Sequence, residues 1–272
     1  MSVHRSLRHR YHQFIVWIKR VLYGSRGEPY SVRGVKLRFL PGTRPIRQRY
    51  VHSKDPVNRY DAMQIELLTS QLNEGDVAID IGAHHGVYSL IMAARCGQSG
   101  RVIAFEPDPY ACEVLERNLA LNPTIRRPIV EHFACSDSAG MATLYSLGGN
   151  PQSSMARSAV EFSTEHKSEE LSVSRITLDS YLRDRAIPTP SWVKIDTEGA
   201  EIRILKRAED LLRSDARIIC ELHPYAWPEF GNDLSELRDI VAKADRSMRY
   251  LDEQAELGER VEYGTVLLEK RR

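Results

Sequence analysis

Gly75-Asp-Val-Ala-Ile-Asp-Ile-Gly-Ala-His-His-Gly-Val-Tyr-Ser-Leu90, followed by Arg101-Val-Ile-Ala-Phe-Glu106, is the stretch that decides the fold. Asp76–Ile81 reads as an apolar strand and Gly86–Cys96 as a helix. A turn bounded by glycines joins them, and Arg101–Glu106 is a second strand ending in a carboxylate. That order is half of a nucleotide-binding site: a turn at the carboxyl end of one strand and an acid at the end of the next.

The turn is Gly82-Ala-His-His-Gly86, a GxxxG rather than a GxGxxG. His84 stands where the dinucleotide fingerprint places the glycine that lets the backbone approach a pyrophosphate. Its absence argues against a nicotinamide-dependent oxidoreductase. It suits an adenosyl ligand without phosphate, such as S-adenosylmethionine. In that reading Asp80 organises the turn or accepts from the ligand's ammonium. Glu106, 24 residues past Gly82, accepts from the ribose hydroxyls. Ser136 and Asp137 end a third strand, where an acid can meet the adenine amino group.

Outward from this core the alternation continues. Asp108 followed by Pro109 predicts an N-cap and first helical position for a helix to about Leu121. Ile129–Cys135 reads as a third strand, and 141–147 with 171–178 as a hairpin pair around a polar, mobile loop at 148–170. Ser191–Asp196 is a fourth parallel strand with a helix at 199–213, and Ala216–Leu222 a fifth. A helix at 233–244 and strands near 247–252 and 263–269 complete the pattern. Strand–helix alternation at this spacing predicts an α/β fold, an open, doubly wound, mostly parallel sheet. Ligands bind such sheets beyond the carboxyl ends of the strands.

Upstream, residues 59–72 have helical periodicity, and 29–51 read as short strands or loops. YHQFIVWIKRVLY (residues 11–23) places Tyr11, Phe14, Ile15, Ile18, Val21 and Leu22 at helical spacing with basic flanks. Such a helix either lies on a membrane surface or docks on the protein's own core. The expected division is a basic N-terminal extension over 1–58 and a catalytic domain over 59–272.

Bulk properties agree with a globular protein. The 272 residues are 42% hydrophobic and 28% charged, enough for a full core. The net charge of +1 conceals an asymmetry: residues 1–50 hold twelve Lys or Arg and one acid, Glu28. A basic arm on an acidic body points to an anionic partner or to a solvated tail. Cys96, Cys112, Cys135 and Cys220 contain no CxxC and predict buried free thiols in a reducing compartment. Neither a signal-peptide pattern nor a run of the ~20 apolar residues that span a bilayer is present. The expected location is the cytoplasm, with peripheral contact at the inner face of the membrane through residues 1–26.

IDIGAHHGVYSL, RVIAFEPDP, ACSDSAG, ITLDSYL, WVKIDTEGAEIRIL and ICELHP together resemble the FkbM-type S-adenosylmethionine-dependent O-methyltransferases, over roughly residues 60–225. The KIDTEG element, Lys194–Gly199, is the most specific part. The resemblance implies a Rossmann-like class I methyltransferase sheet of seven strands with the last antiparallel. It implies cofactor contacts at Asp80, Gly82, Glu106 and Asp137, with Ala83, His84, Gly86, Pro107, Ser136 and Asp196 beside them. His84 departs from the family, which more often has Asn there.

The fourth strand ends in Asp196, with Glu198 two residues on, and the fifth in Glu221-Leu-His223. These ends are neighbours in a doubly wound sheet. Methyl transfer to a hydroxyl needs in-line alignment and a proton acceptor. His223 and Asp196 are candidates for the base, with Lys194 or Glu198 positioning the acceptor. A strand-exit histidine bonded to backbone is the plainer alternative for His223. Asp196, Glu221 and His223 also match the ligand types of Mg²⁺ or Mn²⁺, but a metal-free account suffices and none is assigned. Asn150, Ser153 and Ser154, and Tyr225 and Trp227, are candidate contacts to a polyhydroxylated acceptor. Nucleic-acid methyltransferases that act on base amines carry Pro-Pro-aromatic after the fourth strand. Here the turn is Asp196-Thr-Glu-Gly199, and its acids repel phosphates. A small molecule or glycan is the expected acceptor, and a non-catalytic membrane-associated binding protein the remaining alternative.

Overall fold

The computed structural model describes residues 14–43, 53, 56–148, 153–161, 168–252 and 263–271. Helix α1 over residues 14–23 and a hairpin of β1 (Glu28–Val32) and β2 (Val35–Phe39) lead to α2 (Pro56–Gln71). Then β3 (Val77–Ile81), α3 (Val87–Cys96), β4 (Arg101–Phe105) and α4 (Pro109–Ala120) alternate. β5 (Ile129–Glu131), β6 (Ala134–Cys135), β7 (Gly140–Ser146), α5 (Arg157–Glu161), β8 (Glu169–Ile176) and α6 (Leu178–Asp184) follow. The chain closes with β9 (Trp192–Ile195), α7 (Glu201–Lys206), α8 (Glu209–Arg213), β10 (Arg217–Leu222), α9 (Leu234–Lys243), β11 (Arg246–Tyr250) and β12 (Gly264–Lys270).

The main sheet has seven strands in the order β11-β12-β10-β9-β3-β4-β5. β9, β3, β4 and β5 run parallel to β10, and β12 runs antiparallel to both neighbours. The expected seven-stranded sheet with an antiparallel last strand is therefore present. Near-continuous apolar runs such as VAIDI and RIICEL suit strands covered on both faces.

Side-chain alternation sorts the strands onto two cores. Ile79, Ile81, Val193, Ile195, Ile218 and Cys220 face α7, α8 and α9. Ala78, Trp192 and Ile219 face α2, α3 and the β1–β2 hairpin. By the same period of two, Asp80, Lys194 and Glu221 share the α2–α3 face. Asp80 pairs in register with Lys194, and Glu221 with Thr265. The hairpin contributes Val32, Val35, Leu37 and Phe39 to that core, so the N-terminal extension packs on the sheet. α1 exposes Phe14, Trp17, Val21 and Leu22. The positions before 14 in the YHQFIVWIKRVLY pattern lie outside the described residues, and no described helix is long and apolar enough to cross a membrane.

Several boundaries differ from expectation. Ile129–Cys135 is not one strand. β5 pairs with β4 in the main sheet, while β6 pairs with β8 in a separate three-stranded sheet, β6-β8-β7. The 199–213 helix is two. Arg207 and Ala208 donate to Ile204 and Leu205 carbonyls three residues back, which closes α7. Ala208 is fully buried, and the bend lets Leu205, Leu211 and Leu212 all reach the core. Strand β8 stops at Ile176; Thr177 stands at the N-cap position of a helix, α6, that begins at Leu178. The 148–170 segment holds a helix, α5, and its Ser154 pairs with Tyr145; Asn150 lies outside the described residues. All four cysteines are free and buried.

Candidate active site

Two loops at the carboxyl ends of β3 and β4 form the first half of the site. Gly82 and Ala83 N–H groups donate to the Phe105 carbonyl at 2.9 and 3.0 Å. His84 adopts φ +48°, a left-handed conformation that His and Asn tolerate better than most residues. Its N–H donates to Glu106 Oε2 at 2.7 Å, and the Asp108 N–H donates to Oε1 at 2.8 Å. Burial pushes the Glu106 carboxyl up to about 7, with these two amides opposing the rise. Asp108 caps α4 by accepting from Tyr110 N–H at 2.9 Å, as its Asp-Pro sequence predicts.

Gly82 is glycine for a reason beyond its φ of +82°. A Cβ there would lie 1.7 Å from the Asp196 carbonyl oxygen. Asp196 N–H in turn donates to the Ile81 carbonyl at 3.0 Å. The end of β9 is thus seated against the first turn.

The second half of the site centres on His223, which is almost fully buried. Its Nδ1 lies 2.8 Å from Glu201 Oε1. Glu201 is itself fully buried and accepts from Gly199 N–H at 2.8 Å and Trp227 Nε1–H at 2.9 Å. Nε2 faces three carboxylates: Glu198 Oε2 at 3.6 Å, Asp196 Oδ1 at 3.9 Å and Glu221 Oε1 at 3.9 Å. Burial lowers the imidazole pKa, but Glu198, Glu201 and Glu221 outweigh it and hold it well above the usual value.

Most oxygens of the cluster, including two of those that face Nε2, have further partners. Lys194 Nζ donates to Asp196 Oδ2 at 2.7 Å and lies 4.3 Å from the Tyr88 ring. Tyr88 O–H donates to Asp61 Oδ1 at 2.8 Å. Gln64 Nε2 donates to Glu221 Oε2 at 3.2 Å, and Tyr263 O–H donates to Glu221 Oε1. Tyr225 O–H donates to Glu198 Oε2 at 2.7 Å. Above the site, Ser146 and Ser153 hydroxyls donate to Asp108 Oδ2, and the Ser154 hydroxyl to the Glu198 carbonyl. The described part of the 148–170 loop is therefore anchored at both halves.

Nearly all of the described residues singled out from the sequence converge here, and three of them have partners that bear on the roles expected of them. Asp137 is engaged by Arg203 through Nε at 3.0 Å and Nη2 at 2.7 Å, so its carboxylate serves a bidentate ion pair. Burial tends to raise its pKa, but Arg203 and the Ser138 and Ser136 hydroxyls lower it. Trp227 is buried and bonded to Glu201, which removes it as a surface for stacking on an acceptor; Tyr225 stays 41% exposed. His223 bonds a carboxylate, that of Glu201, rather than backbone. Sequence reasoning missed Glu201, Tyr263, Asp61 and Gln64. The last two were signalled by position: each lies four residues before an apolar residue, Ile65 or Leu68, on the buried stripe of α2.

The profile of the FkbM methyltransferase domain matches residues 80–251. The chain belongs to the FkbM methyltransferase family. It is a methyltransferase, and S-adenosylmethionine is its methyl donor. A hexuronic acid methyltransferase, AglP, of Haloferax volcanii is 28% identical over 183 residues, covering 67% of this chain and 68% of that protein. Methyltransferase sdnD of Sordaria araneosa is 28% identical over 156 residues, 48% of this chain and 60% of that protein. The solved structure of an FkbM methyltransferase from Methylobacillus flagellatus superposes with a TM-score of 0.49 at 14% identity. The match covers 82% of this chain and 56% of that one. The residues fit the donor: among the described residues Asp80 Oδ1 is buried without a hydrogen-bond partner beside the turn, an acceptor suited to an ammonium group.

Proposed function

We propose that this methyltransferase acts on a hydroxyl oxygen of a sugar or a polyhydroxylated natural product. The observation that carries the reading is the ring of Asp196, Glu198 and Glu221 around His223 Nε2, next to the donor turn. S-adenosylmethionine supplies an electrophilic methyl group on a sulfonium. Glu106 holds the donor's ribose hydroxyls, and Asp80 its ammonium. An acceptor hydroxyl reaching the cluster meets several oxygen acceptors that fix its direction and take its proton. Glu198 is the candidate proton acceptor on geometry, because it sits nearest Nε2 and bonds the exposed Tyr225 at the mouth. Tyr225 offers one aromatic face to a sugar ring.

The acidic lining disfavours a phosphate-rich polymer as acceptor. The name of the Haloferax volcanii relative, a hexuronic acid methyltransferase, agrees with a saccharide. The test is incorporation of labelled methyl from S-adenosylmethionine across a panel of free sugars, nucleotide sugars and glycans, with RNA and peptide controls. Transfer to a saccharide hydroxyl is expected. Transfer to nitrogen in RNA or peptide, with none to the saccharides, refutes the reading.

A further inference from the structure

We propose that Asp196, Glu221 and His223 bind a hard divalent cation, Mn²⁺ or Mg²⁺, at the carboxyl ends of β9 and β10. The proposal extends the O-methylation reading: the cation sits where an acceptor oxygen arrives and stabilises it as its proton leaves. One ligand atom from each of the three residues lies within 4.8 Å of the others. With Nε2 3.9 Å from both oxygens, a point equidistant from all three lies about 2–2.5 Å from each, the range of such metal–ligand bonds.

A second observation is independent of that clustering. His223 is buried, yet among the described residues no oxygen comes within hydrogen-bonding distance of Nε2; the carboxylates facing it stand at 3.6 and 3.9 Å. An imidazolium paired with a carboxylate closes to about 2.7–2.9 Å. Here the acids surround Nε2 and stop short, leaving room between them.

The residues behind the cluster have the arrangement that orients metal ligands. A ligating histidine usually gives its other ring nitrogen to a carboxylate, which fixes the ring and its tautomer. Glu201 does this at Nδ1 with a 2.8 Å contact, and is itself pinned by Gly199 N–H and Trp227 Nε1–H. Lys194 holds the far oxygen of Asp196, and Gln64 the far oxygen of Glu221. Each ligand therefore presents one atom to the common point while its other polar atom is tied back, and the Glu221 oxygen that faces the point also accepts from Tyr263 O–H. Three ligands from two strand ends leave positions open for water or an acceptor oxygen, as a catalytic rather than a structural site requires. Carboxylate oxygens with one imidazole match the coordination chemistry of Mn²⁺.

The test uses full-length protein freed of metal with EDTA, titrated with Mn²⁺ and followed by electron paramagnetic resonance. S-adenosylhomocysteine calorimetry on the same samples reports the donor site. One Mn²⁺ per chain is expected, with spin-echo modulation from a single imidazole nitrogen. His223→Ala should abolish the modulation, and Glu221→Gln should weaken Mn²⁺ at least tenfold. Glu201→Gln, a positioning change, should weaken it about 10–100-fold. Wild-type protein that binds S-adenosylhomocysteine but no Mn²⁺ at millimolar concentration overturns the proposal and leaves the O-methylation reading standing. Mn²⁺ bound without nitrogen coupling, or equally by the wild type and Glu221→Gln, also overturns it. Mn²⁺ binding as expected with no saccharide methylated supports the site and counts against the acceptor reading instead.

Discussion

Glu106→Gln isolates the carboxylate that closes the donor turn. The substitution keeps the shape and removes the charge. In the native protein both oxygens accept backbone N–H groups, at 2.7 and 2.8 Å, so a glutamine must turn its NH₂ toward one of them. Charged hydrogen bonds contribute about 1.5–3 kcal/mol each. Losing the charged acceptor for the ribose should therefore weaken S-adenosylhomocysteine by about 10–150-fold at pH 8. The wild type should also show a pH signature. Burial raises the Glu106 carboxyl to about 7, and only the ionised form accepts from both ribose hydroxyls. Affinity should be flat above pH 7 and fall about tenfold per unit below it, so the two proteins converge between about pH 5 and 6. The stability term has the opposite sense. With the folded value above the unfolded one, this group's contribution is full below about pH 4.5 and is lost by pH 7. The loss is about 3 kcal/mol, and Glu106→Gln should not show it. Calorimetry from pH 5.5 to 8.5 reads the binding half, and urea unfolding over the same range reads the stability half. A wild-type affinity that does not change with pH, or a variant within threefold of it at pH 8, refutes the ribose assignment.

Gly82→Ala should cost at least about 3 kcal/mol, because its Cβ meets the Asp196 carbonyl at 1.7 Å in addition to the strain of a positive φ. Thermal unfolding reads this as a fall of several degrees, and a change under about 1 kcal/mol would mean the two strand ends are not in fixed contact. Arg246 is fully buried and donates to the carbonyls of Leu211, Leu212, Ser214, Ala216 and Leu268. Arg246→Met should lose about 3 kcal/mol in denaturant unfolding while leaving S-adenosylhomocysteine affinity unchanged; unaltered stability contradicts the structural role. Asp137→Ala should leave S-adenosylhomocysteine within about threefold of the wild type, because the carboxylate is committed to Arg203. A tenfold loss in calorimetry would restore it as an adenine contact.

The parallel core was legible because its strands are short apolar runs separated by turn chemistry, with Asp108-Pro109 marking a helix start that the structure repeats. The site was legible wherever position along a strand decided it: Asp80, Glu106, Asp196 and His223 stand at strand ends, where this sheet gathers ligands. What the sequence hid depends on packing between distant elements. Asp61 and Gln64 show in the sequence only their place on the stripe of α2; their partners appear once α2 lies across β10, 157 residues from Gln64 to Glu221. Glu201 reads as a first-turn acid of a helix, and only the fold turns it toward His223. Arg246, in a segment that reads as a strand start, closes the carbonyls around the end of α8. The break between α7 and α8 has no proline or glycine to announce it, since it arises from the burial of Ala208.

The contact of Gly82 with the Asp196 carbonyl makes the donor turn and the first acid of the cluster one mechanical unit. Any shift that retunes the donor's seat is passed directly to the acceptor side. Tyr225 lies off that seam and bonds the side chain of Glu198 beyond it, so a substitution there leaves the register of the two strand ends alone.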